Sequence, residues 1–258
     1  MNRMGGLKGL ITGAAGAIGS ATARRCLKEG ARVLLVDHDA SKLNSLRREL
    51  CEEFGVDGDY ILCQQADVTD PDQMQKLGAA AVRAYGQLDF MFANAGVEGP
   101  VQDIGSYPNA SFESVLKVNV SGVFYTLKYL EATIADGGSI LITSSVVGLK
   151  GSARSAAYVT SKHAVVGLMR TAAKGLAARR IRVNTVHPGL VDSDMLRRIE
   201  VGLQELGVDD PRGSFMSATP MGTTITVDDV AHAAVFLFSN ESRFVTGQTL
   251  AIDAGYLL

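Results

Sequence analysis

Short apolar runs alternate with helical stretches along this chain, and this alternation constrains the fold more than any other feature. The runs "KGLITG", "ARVLLVDHD", "YILCQQADV", "LDFMFANAG", "GGSILITSS" and "IRVNTVHPG" are strand-like, and segments with helical spacing of apolar residues separate them. The runs are apolar on both faces, which is typical of parallel strands covered by helices on both sides. Right-handed crossovers between such strands predict an α/β fold with a Rossmann-type, doubly wound parallel sheet.

Nothing in the sequence divides the chain into smaller units. At 258 residues it is long enough for one large α/β domain, and hydrophobic residues make up 47% of it. No linker, repeat or low-complexity tract interrupts the succession of strands and helices. We therefore expect residues 1–258 to form a single domain.

Charge and cysteine content narrow the class of protein. Acids and bases are mixed along the chain and the net charge is −2, so no basic stripe predicts nucleic-acid binding. Cys26, Cys51 and Cys63 have no CxxC spacing, which argues against a disulfide framework and against a metal site. The first glycines come too early for a signal peptide, and no apolar run reaches the roughly 18 residues of a membrane span. We expect a soluble cytoplasmic protein without membrane partners.

The joint between the first strand and the first helix, "TGAAGAIG", is rich in glycine. Gly13, Gly16 and Gly19 allow a tight turn and a close approach of the backbone to a ligand. The following helix offers free N–H groups and the positive end of its dipole, and a pyrophosphate fits both. Alone, such a turn is only a weak signal for nucleotide binding.

The end of the second strand strengthens that signal. "LLVD" ends in Asp37, about twenty residues after the glycine turn, and a carboxylate there binds both ribose hydroxyls of NAD and repels the 2′-phosphate of NADP. The glycine turn contains no arginine or lysine to bind such a phosphate. We therefore expect NAD, although a helix cap or a loop acid is the ordinary role of an aspartate in this position.

Tyr158 and Lys162 lie four positions apart in "SAAYVTSKHAVV". This spacing is just over one helical turn, so both side chains rise from the same face of a helix. The pair alone is compatible with a structural contact between a ring and an aliphatic stem. It is equally compatible with an ammonium group that tunes a phenol for chemistry.

Further motifs decide between these readings. The chain carries "NAG" ending at Gly96, "VN" ending at Asn119, "SS" ending at Ser145, then "YVTSK" and "HPG", and Ser145 precedes Tyr158 by 13 positions. In this order and at these spacings, the motifs resemble those of the classical short-chain dehydrogenase/reductase family over almost the whole chain. Each motif is weak alone, but their joint occurrence is very specific. The chain departs from the family pattern at Ala17, where the glycine turn usually has its middle glycine.

The resemblance implies a catalytic set of Asn119, Ser145, Tyr158 and Lys162. Tyr158 would take the proton from an alcohol or return it to a ketone, and Ser145 would hold the reacting oxygen. Lys162 and the positively charged nicotinamide ring would favour the phenolate, and Lys162 would also bind the nicotinamide ribose. Asn119 would hold a water in a proton relay. Its alternative role is a buried amide that bonds backbone groups at a helix irregularity.

The resemblance also implies the cofactor contacts. Asp67 and the backbone of Val68 would meet the adenine ring, while Val191 and Ser193 would meet the nicotinamide carboxamide. A simpler role for Asp67 is to cap the helix that starts near Pro71. The full predicted set of cofactor residues is Gly13, Gly16, Ile18, Gly19, Asp37, Asp67, Val68, Asn94, Tyr158, Lys162, Val191 and Ser193.

The substrate site is predicted less closely. The irregular segment from 192 to 221 is the expected lid, with Met195 and Leu196 among the apolar residues that would face the substrate. Val147, just beyond the serine motif, would line the opposite side. Glu98, which follows "NAG", would either bind a polar substrate group or only solvate the rim. These residues predict a secondary alcohol or ketone on a small-to-medium, largely apolar frame, with cyclic compounds included.

Two other functions stay open at this stage. An NADPH-dependent carbonyl or oxoacyl reductase would share the fold, although Asp37 argues against it. An NAD-binding sensor or scaffold would not need the set of Ser145, Tyr158 and Lys162. The family resemblance also implies a homotetramer or a dimer, built through the long helices near residues 112–135 and 155–179.

Overall fold

The computed structural model of the protein describes residues 2–56 and 58–258. In this part of the chain, seven parallel strands form one sheet. They are β1 Lys8–Thr12, β2 Arg32–Asp37, β3 Ile61–Gln65, β4 Leu88–Ala93, β5 Ile134–Thr143, β6 Arg182–Pro188 and β7 Thr249–Ile252. Their spatial order, β3-β2-β1-β4-β5-β6-β7, confirms the predicted doubly wound sheet.

Helices connect the strands, and several of them begin at a residue whose side chain caps the helix. They are α1 Ala17–Lys28, α2 Ala40–Phe54, α3 Pro71–Tyr85, α4 Asn109–Leu116, α5 Gly122–Leu130, α6 Ala156–Gly175, α7 Asp194–Glu205, α8 Pro211–Ser217 and α9 Val227–Phe238. At the start of α3, the Asp70 side chain accepts hydrogen bonds from the backbone N–H groups of Asp72 and Gln73. Pro71 lies in the first turn, where a missing N–H costs nothing. The start of this helix agrees with the start near Pro71 that the sequence predicts.

Each face of the sheet has its own hydrophobic core. Leu10 and Leu34 belong to the core that includes residues of α3, α5 and α6, whereas Ile11 and Leu35 belong to the core that includes residues of α1, α2 and α9. Successive strand residues therefore point into different cores, as the pleat of a β-strand requires. Because both faces are covered, the strands are apolar at consecutive positions.

The helix predicted near residues 112–135 is divided and shorter. α4 begins at Asn109, a π-helical turn from Lys117–Ser121 joins it to α5, and α5 ends at Leu130. The predicted end near residue 135 is wrong because β5 begins at Ile134, which pairs with Leu88 of β4. Apolar spacing does not reveal such a pairing, since it depends on a distant strand.

The strand order places a crevice above the middle of the sheet. β2 and β4 flank β1 on opposite sides, so the connections from β1 and β4 run in opposite directions. In open α/β sheets, ligands bind outside the carboxyl ends of the strands at such a switch point. The segment from 192 to 221, which contains α7 and α8, covers one side of this crevice.

The described residues contain neither a membrane-spanning helix nor a cluster of metal ligands. Along 2–56 and 58–258, no helix combines the length and the apolar character that crossing a bilayer requires. Within the same residues, no three or more His, Cys, Asp or Glu side chains are grouped so that they could hold a metal ion.

Candidate active site

The turn between β1 and α1 needs glycine at two of its three positions. Gly13 has a φ of +61°, and a Cβ there would lie 2.7 Å from the Cα of Ala95. A Cβ at Gly19 would lie 2.2 Å from the carbonyl oxygen of Gly13. Gly16 has an ordinary φ of −77° and less crowding. Gly13 therefore allows the turn, and Gly19 allows α1 to approach it closely.

The N-terminus of α1 opens towards the crevice. Its first residue, Ala17, lines the crevice together with Gly16 and Ile18, and no side chain caps the helix at Gly16. The first N–H groups of an α-helix have no partner within the helix. Uncapped donors at the positive end of a helix dipole fit the pyrophosphate of a dinucleotide.

Asp37 occupies the end of β2 beside this turn. Its side chain is only 8% exposed and accepts hydrogen bonds from the backbone N–H groups of Ala15, at 3.0 Å, and Asp39, at 3.1 Å. The ring of His38 lies 3.1 Å from the same carboxylate and is mostly exposed. Asp37 thus also stabilises the glycine turn, and it lines the crevice where a ribose would lie.

The crevice has a volume of about 790 Å³, which is in the range of ligand sites. Most of the predicted site residues line it, including Gly13, Gly16, Ile18, Asp37, Asp67, Val68, Asn94, Ser145, Val147, Tyr158, Lys162, Val191, Ser193, Met195 and Leu196. Three predicted residues do not line it, namely Gly19, Glu98 and Asn119. Gly19 and Asn119 support the site from behind, and the carboxylate of Glu98 faces the segment from 192 to 221.

Two acids near the start of α3 have separate tasks. Asp70 caps the helix, so Asp67 is not needed for this. The Asp67 carboxylate accepts a hydrogen bond of 2.8 Å from the backbone N–H of Thr69, and its own N–H donates to Gln73. Asp67 remains exposed and lines the crevice, where its free carboxylate oxygen can accept a further hydrogen bond.

Tyr158 and Lys162 share one face of α6, as their spacing predicts. The Nζ atom of Lys162 lies 5.4 Å from the centre of the Tyr158 ring and donates a 3.0 Å hydrogen bond to the carbonyl oxygen of Thr143. Lys162 is only 3% exposed. The Thr143 hydroxyl donates to the Asn94 side chain, whose amide donates to the carbonyl oxygens of Thr12 and Gly13. These hydrogen bonds connect the lysine to the glycine turn.

Burial acts on both ionisable groups in the direction that favours their neutral forms. Desolvation raises the pKa of Tyr158 to about 12, while a hydrogen bond with Ser145 works in the opposite direction. Desolvation lowers the pKa of Lys162 to about 8. We expected the lysine to lower the pKa of the phenol, but the cost of burial is the larger effect on Tyr158.

Ser145 follows β5 and is held against β6. Its hydroxyl lies 3.5 Å from the carbonyl oxygen of Pro188 and accepts a 3.4 Å contact from the N–H of Val147. The Nδ1 atom of His187 lies 2.7 Å from the carbonyl oxygen of Ser145, and its Nε2 lies 2.8 Å from the Thr185 hydroxyl. A carbonyl only accepts, so Nδ1 carries the proton. Burial lowers the pKa of His187 to about 4, which keeps this ring neutral at neutral pH.

Asn119 lies in the π-helical turn and is fully engaged. Its Oδ1 accepts a 2.8 Å hydrogen bond from the N–H of Val97, and its Nδ2 donates to the carbonyl oxygen of Val97 and to the Ser161 hydroxyl. Ser161 donates in turn to the carbonyl oxygen of Tyr158. The Asn119 side chain thus connects the loop after β4 to α6, the helix that carries Tyr158. This arrangement matches the buried-amide role weighed from the sequence.

Three residues on or beside the crevice have roles that the sequence did not predict. Arg198 on α7 and Tyr256 near the C-terminus both line the crevice, and His187 positions the backbone of Ser145. The sequence signal for His187 is the "HPG" motif, and in the β5–β6 register Val186, just before this motif, pairs with Thr143. This register places the "HPG" motif beside the serine motif. Arg198 and Tyr256 depend on loop paths that no sequence pattern predicts.

The glycine turn and the uncapped N-terminus of α1 together form a dinucleotide cradle. Nicotinamide-dependent oxidoreductases with a Rossmann-type sheet combine such a cradle with a carboxylate at the end of β2 and a Ser–Tyr–Lys cluster on the same crevice. A family model described as enoyl-(acyl carrier protein) reductase matches residues 13–257. The chain belongs to the short-chain dehydrogenase/reductase family, as the sequence motifs predict. It is therefore an oxidoreductase of a family that uses a nicotinamide cofactor.

Similar proteins in this family differ in substrate. The chain is 34% identical over 258 residues to the 3-oxoacyl-[acyl-carrier-protein] reductase FabG of Thermotoga maritima, covering 99% of this chain and 100% of that protein. It is 34% identical over 251 residues to cis-4-hydroxycyclohexanecarboxylate dehydrogenase of Sinomonas cyclohexanicum, with coverage of 96% and 95%. The crystal structure of NAD⁺-bound xylitol dehydrogenase is 32% identical and superposes with a TM-score of 0.91, covering 98% of this chain and 100% of that one.

Proposed function

We propose that this protein is an NAD(H)-dependent oxidoreductase that interconverts a secondary alcohol and a ketone. The observation that carries the proposal is the joint placement of Ser145, Tyr158 and Lys162 on a crevice whose other end contains Asp37. A relative of this chain is a dehydrogenase of a cyclic secondary alcohol, and a structural neighbour was solved with NAD⁺. Both support this choice of cofactor and reaction.

The chain's own residues fit such a cofactor. The glycine turn and the uncapped N-terminus of α1 would bind the pyrophosphate, and Asp37 would accept hydrogen bonds from the adenosine ribose. Asp67 and Val68 would border the adenine, Asn94 and Lys162 the nicotinamide ribose, and Val191 with Ser193 the carboxamide. When bound, the nicotinamide would supply the acceptor or donor of the hydride.

Tyr158 would move the proton at the reacting oxygen. Ser145 would hold this oxygen by a hydrogen bond, and the phenol oxygen of Tyr158 would take the alcohol proton or return it to the ketone. A phenol with a raised pKa needs help to ionise, and the Lys162 ammonium would supply it by favouring the phenolate. Asn119 and His187 would position these groups, since both bond to the backbone beside them.

The segment from 192 to 221 would act as a lid over the substrate. Met195, Leu196, Ile199 and Phe215 line the crevice from this segment, and Val97 and Val147 line it from the other side. Their apolar side chains favour a substrate with a small-to-medium apolar frame, and an alicyclic ring would pack compactly against them.

The test is oxidation of a panel of secondary alcohols that includes cyclohexanol and 4-hydroxycyclohexanecarboxylate. The reaction is followed by NADH absorbance, with NAD and NADP in parallel. We expect activity with NAD and little with NADP. In Tyr158→Phe the rate should fall by about 10²-fold or more, because the general acid–base group is lost.

The control for this experiment is Tyr256→Phe, which changes the other lining tyrosine and should leave a measurable rate. A Tyr158→Phe protein with full activity would contradict the assignment of the acid–base group. Binding of NAD by calorimetry without turnover of any alcohol would instead favour a sensor or scaffold.

An NADPH-dependent carbonyl or oxoacyl reductase is the second candidate. Lys42 also lines the crevice, and its Nζ lies 3.8 Å from Asp39, two residues after Asp37. A lysine there can bind a 2′-phosphate, and the similarity to FabG supports an oxoacyl substrate. Faster turnover with NADP in the same assay, and loss of that preference in Lys42→Ala, would establish this candidate.

We also propose that the protein is cytoplasmic and forms a homotetramer or a dimer. Cys26, Cys51 and Cys63 are free thiols, which is typical of proteins in reducing compartments. Phe124 on α5 is 43% exposed and stands beside Tyr125, with ring centres 5.7 Å apart. An exposed aromatic side chain beside a second, partly buried one favours burial in an interface.

A further inference from the structure

Arg198 and Glu98 form an ion pair beside the crevice. The Nε atom of Arg198 on α7 lies 2.5 Å from Oε1 of Glu98, which follows the "NAG" motif after β4. The Glu98 side chain is only 14% exposed, whereas that of Arg198 is 62% exposed. Of the ion pairs among the described residues, this one alone joins the segment from 192 to 221 to another part of the chain.

The two partners differ in their relation to the crevice. Arg198 lines it and Glu98 does not, so the carboxylate holds the guanidinium from behind. Glu98 contacts only the Nε side of Arg198, and the two terminal amino groups have no hydrogen-bond partner among the described residues. These amino groups are donors in a fixed plane, and their spacing matches the two oxygens of a carboxylate.

The acid that α7 contributes to the crevice wall is already paired. The Asp194 carboxylate is bonded to Arg197 at 2.8 Å. A substrate carboxylate that reaches Arg198 would therefore meet no unpaired acid among the α7 residues that line the crevice.

We propose that Arg198 is a specificity residue that binds a carboxylate of the substrate, so that the substrate is a hydroxy or oxo acid on a largely apolar frame. This inference rests on the proposed alcohol–ketone chemistry at Tyr158. It replaces both roles considered for Glu98, which instead orients the arginine.

Arg198 and Tyr158 line the same crevice, so one bound molecule can contact both. The charge of Glu98 also contributes to the raised pKa of Tyr158. Apolar residues of α7, Met195 and Ile199, lie on the crevice wall near Arg198 in the same helix. A ring or short chain between the carboxylate and the hydroxyl would pack against them.

The experiment compares 4-hydroxycyclohexanecarboxylate with its methyl ester, which is neutral and otherwise matched. The variants are Arg198→Leu and, as control, Arg197→Leu, whose native side chain is similarly exposed and paired with acids but does not line the crevice. In Arg198→Leu we expect the KM for the acid to rise about tenfold or more, because a charge-assisted hydrogen bond is lost. The KM for the ester should not change in Arg198→Leu, and Arg197→Leu should change the KM for neither substrate.

A second measurement uses probes that do not react. Inhibition by cyclohexanecarboxylate should exceed inhibition by cyclohexanecarboxamide in the wild type, and Arg198→Leu should abolish the difference. Equal losses for acid and ester in Arg198→Leu, or equal inhibition by both probes in the wild type, would overturn the proposal. Turnover of the ester in a Tyr158-dependent way would then leave the proposed function standing.

If the wild type oxidises neither substrate, calorimetry on the NAD-loaded protein decides. Binding of cyclohexanecarboxylate that is lost in Arg198→Leu and kept in Arg197→Leu would support the carboxylate site, even though the proposed reaction had failed. Absence of binding to the wild type would refute the site.

Discussion

At the scale of single residues, the crevice contains a phenol and an amine, and burial disfavours the charged form of each. Lys162 is buried and donates to the carbonyl oxygen of Thr143, and Tyr158 is half-buried beside it. Burial raises the pKa of the phenol to about 12 and lowers that of the lysine to about 8, so at neutral pH the phenol is protonated and the lysine is still largely charged. A bound, positively charged nicotinamide ring would favour the phenolate further.

This environment predicts opposite pH dependences for the two directions of the reaction. Alcohol oxidation needs the deprotonated phenol, and the pKa of Tyr158 near 12 keeps this form scarce at neutral pH, so kcat/KM should rise as the pH increases. Ketone reduction needs the protonated phenol, so its kcat/KM should stay level at neutral pH and fall only in the alkaline range. Initial rates in both directions across a pH series test this. An oxidation rate that falls with increasing pH would exclude Tyr158 as the base.

At the scale of secondary-structure elements, the position of α1 decides whether the dinucleotide cradle exists. The helix approaches β1 so closely that a Cβ at Gly19 would lie 2.2 Å from the carbonyl oxygen of Gly13 and 2.9 Å from the Cα of Ala14. Backbone atoms cannot move aside as a flexible side chain can. The whole of α1 must therefore shift if Gly19 is replaced by a residue with a side chain.

Gly19→Ala should weaken NAD binding and destabilise the protein by about 1–3 kcal/mol, the usual cost of overpacking. Calorimetry with NAD and thermal unfolding measure the two effects. The matched control is Gly175→Ala at the end of α6, where a Cβ would meet nothing within 4 Å. Unchanged NAD affinity in Gly19→Ala would mean that the close approach of α1 is not required for the cradle.

At the scale of the whole molecule, two covered sheet faces leave the outer surfaces of the helices for assembly. Lys128 lies 5.9 Å from the ring centre of Phe124 and 5.1 Å from that of Tyr129, so a cation and aromatic rings share the outer face of α5. Such amphipathic surfaces are common in protein interfaces. This face belongs to the helical region that the family resemblance assigns to dimer formation.

The purified protein should therefore have the mass of a dimer or a tetramer in light scattering. Phe124→Glu should shift the distribution towards smaller species, because it places a charge in the proposed interface. Ile104→Glu is the control, since Ile104 is 85% exposed and lies in a 3₁₀ turn outside α5. A monomeric wild type at assay concentrations would refute the proposed assembly.

The sequence by itself determined the fold class and the family. Apolar runs such as Arg32–Asp37 predicted parallel strands because burial on both faces leaves no polar alternation, and the structure confirms this. The start of α3 followed from Pro71, which is a local signal, and the structure places the capping acid Asp70 directly before it. Spacing alone placed Tyr158 and Lys162 on one helix face.

Tertiary structure decided the features that depend on residues far apart in the chain. The pairing of Glu98 with Arg198, the contact of His187 with Ser145 and the placement of Tyr256 all join distant segments. Burial decided the directions of the pKa shifts, since solvent exposure is a property of the folded molecule. Local patterns report which element a residue belongs to, whereas contacts between elements arise only when the sheet brings their ends together.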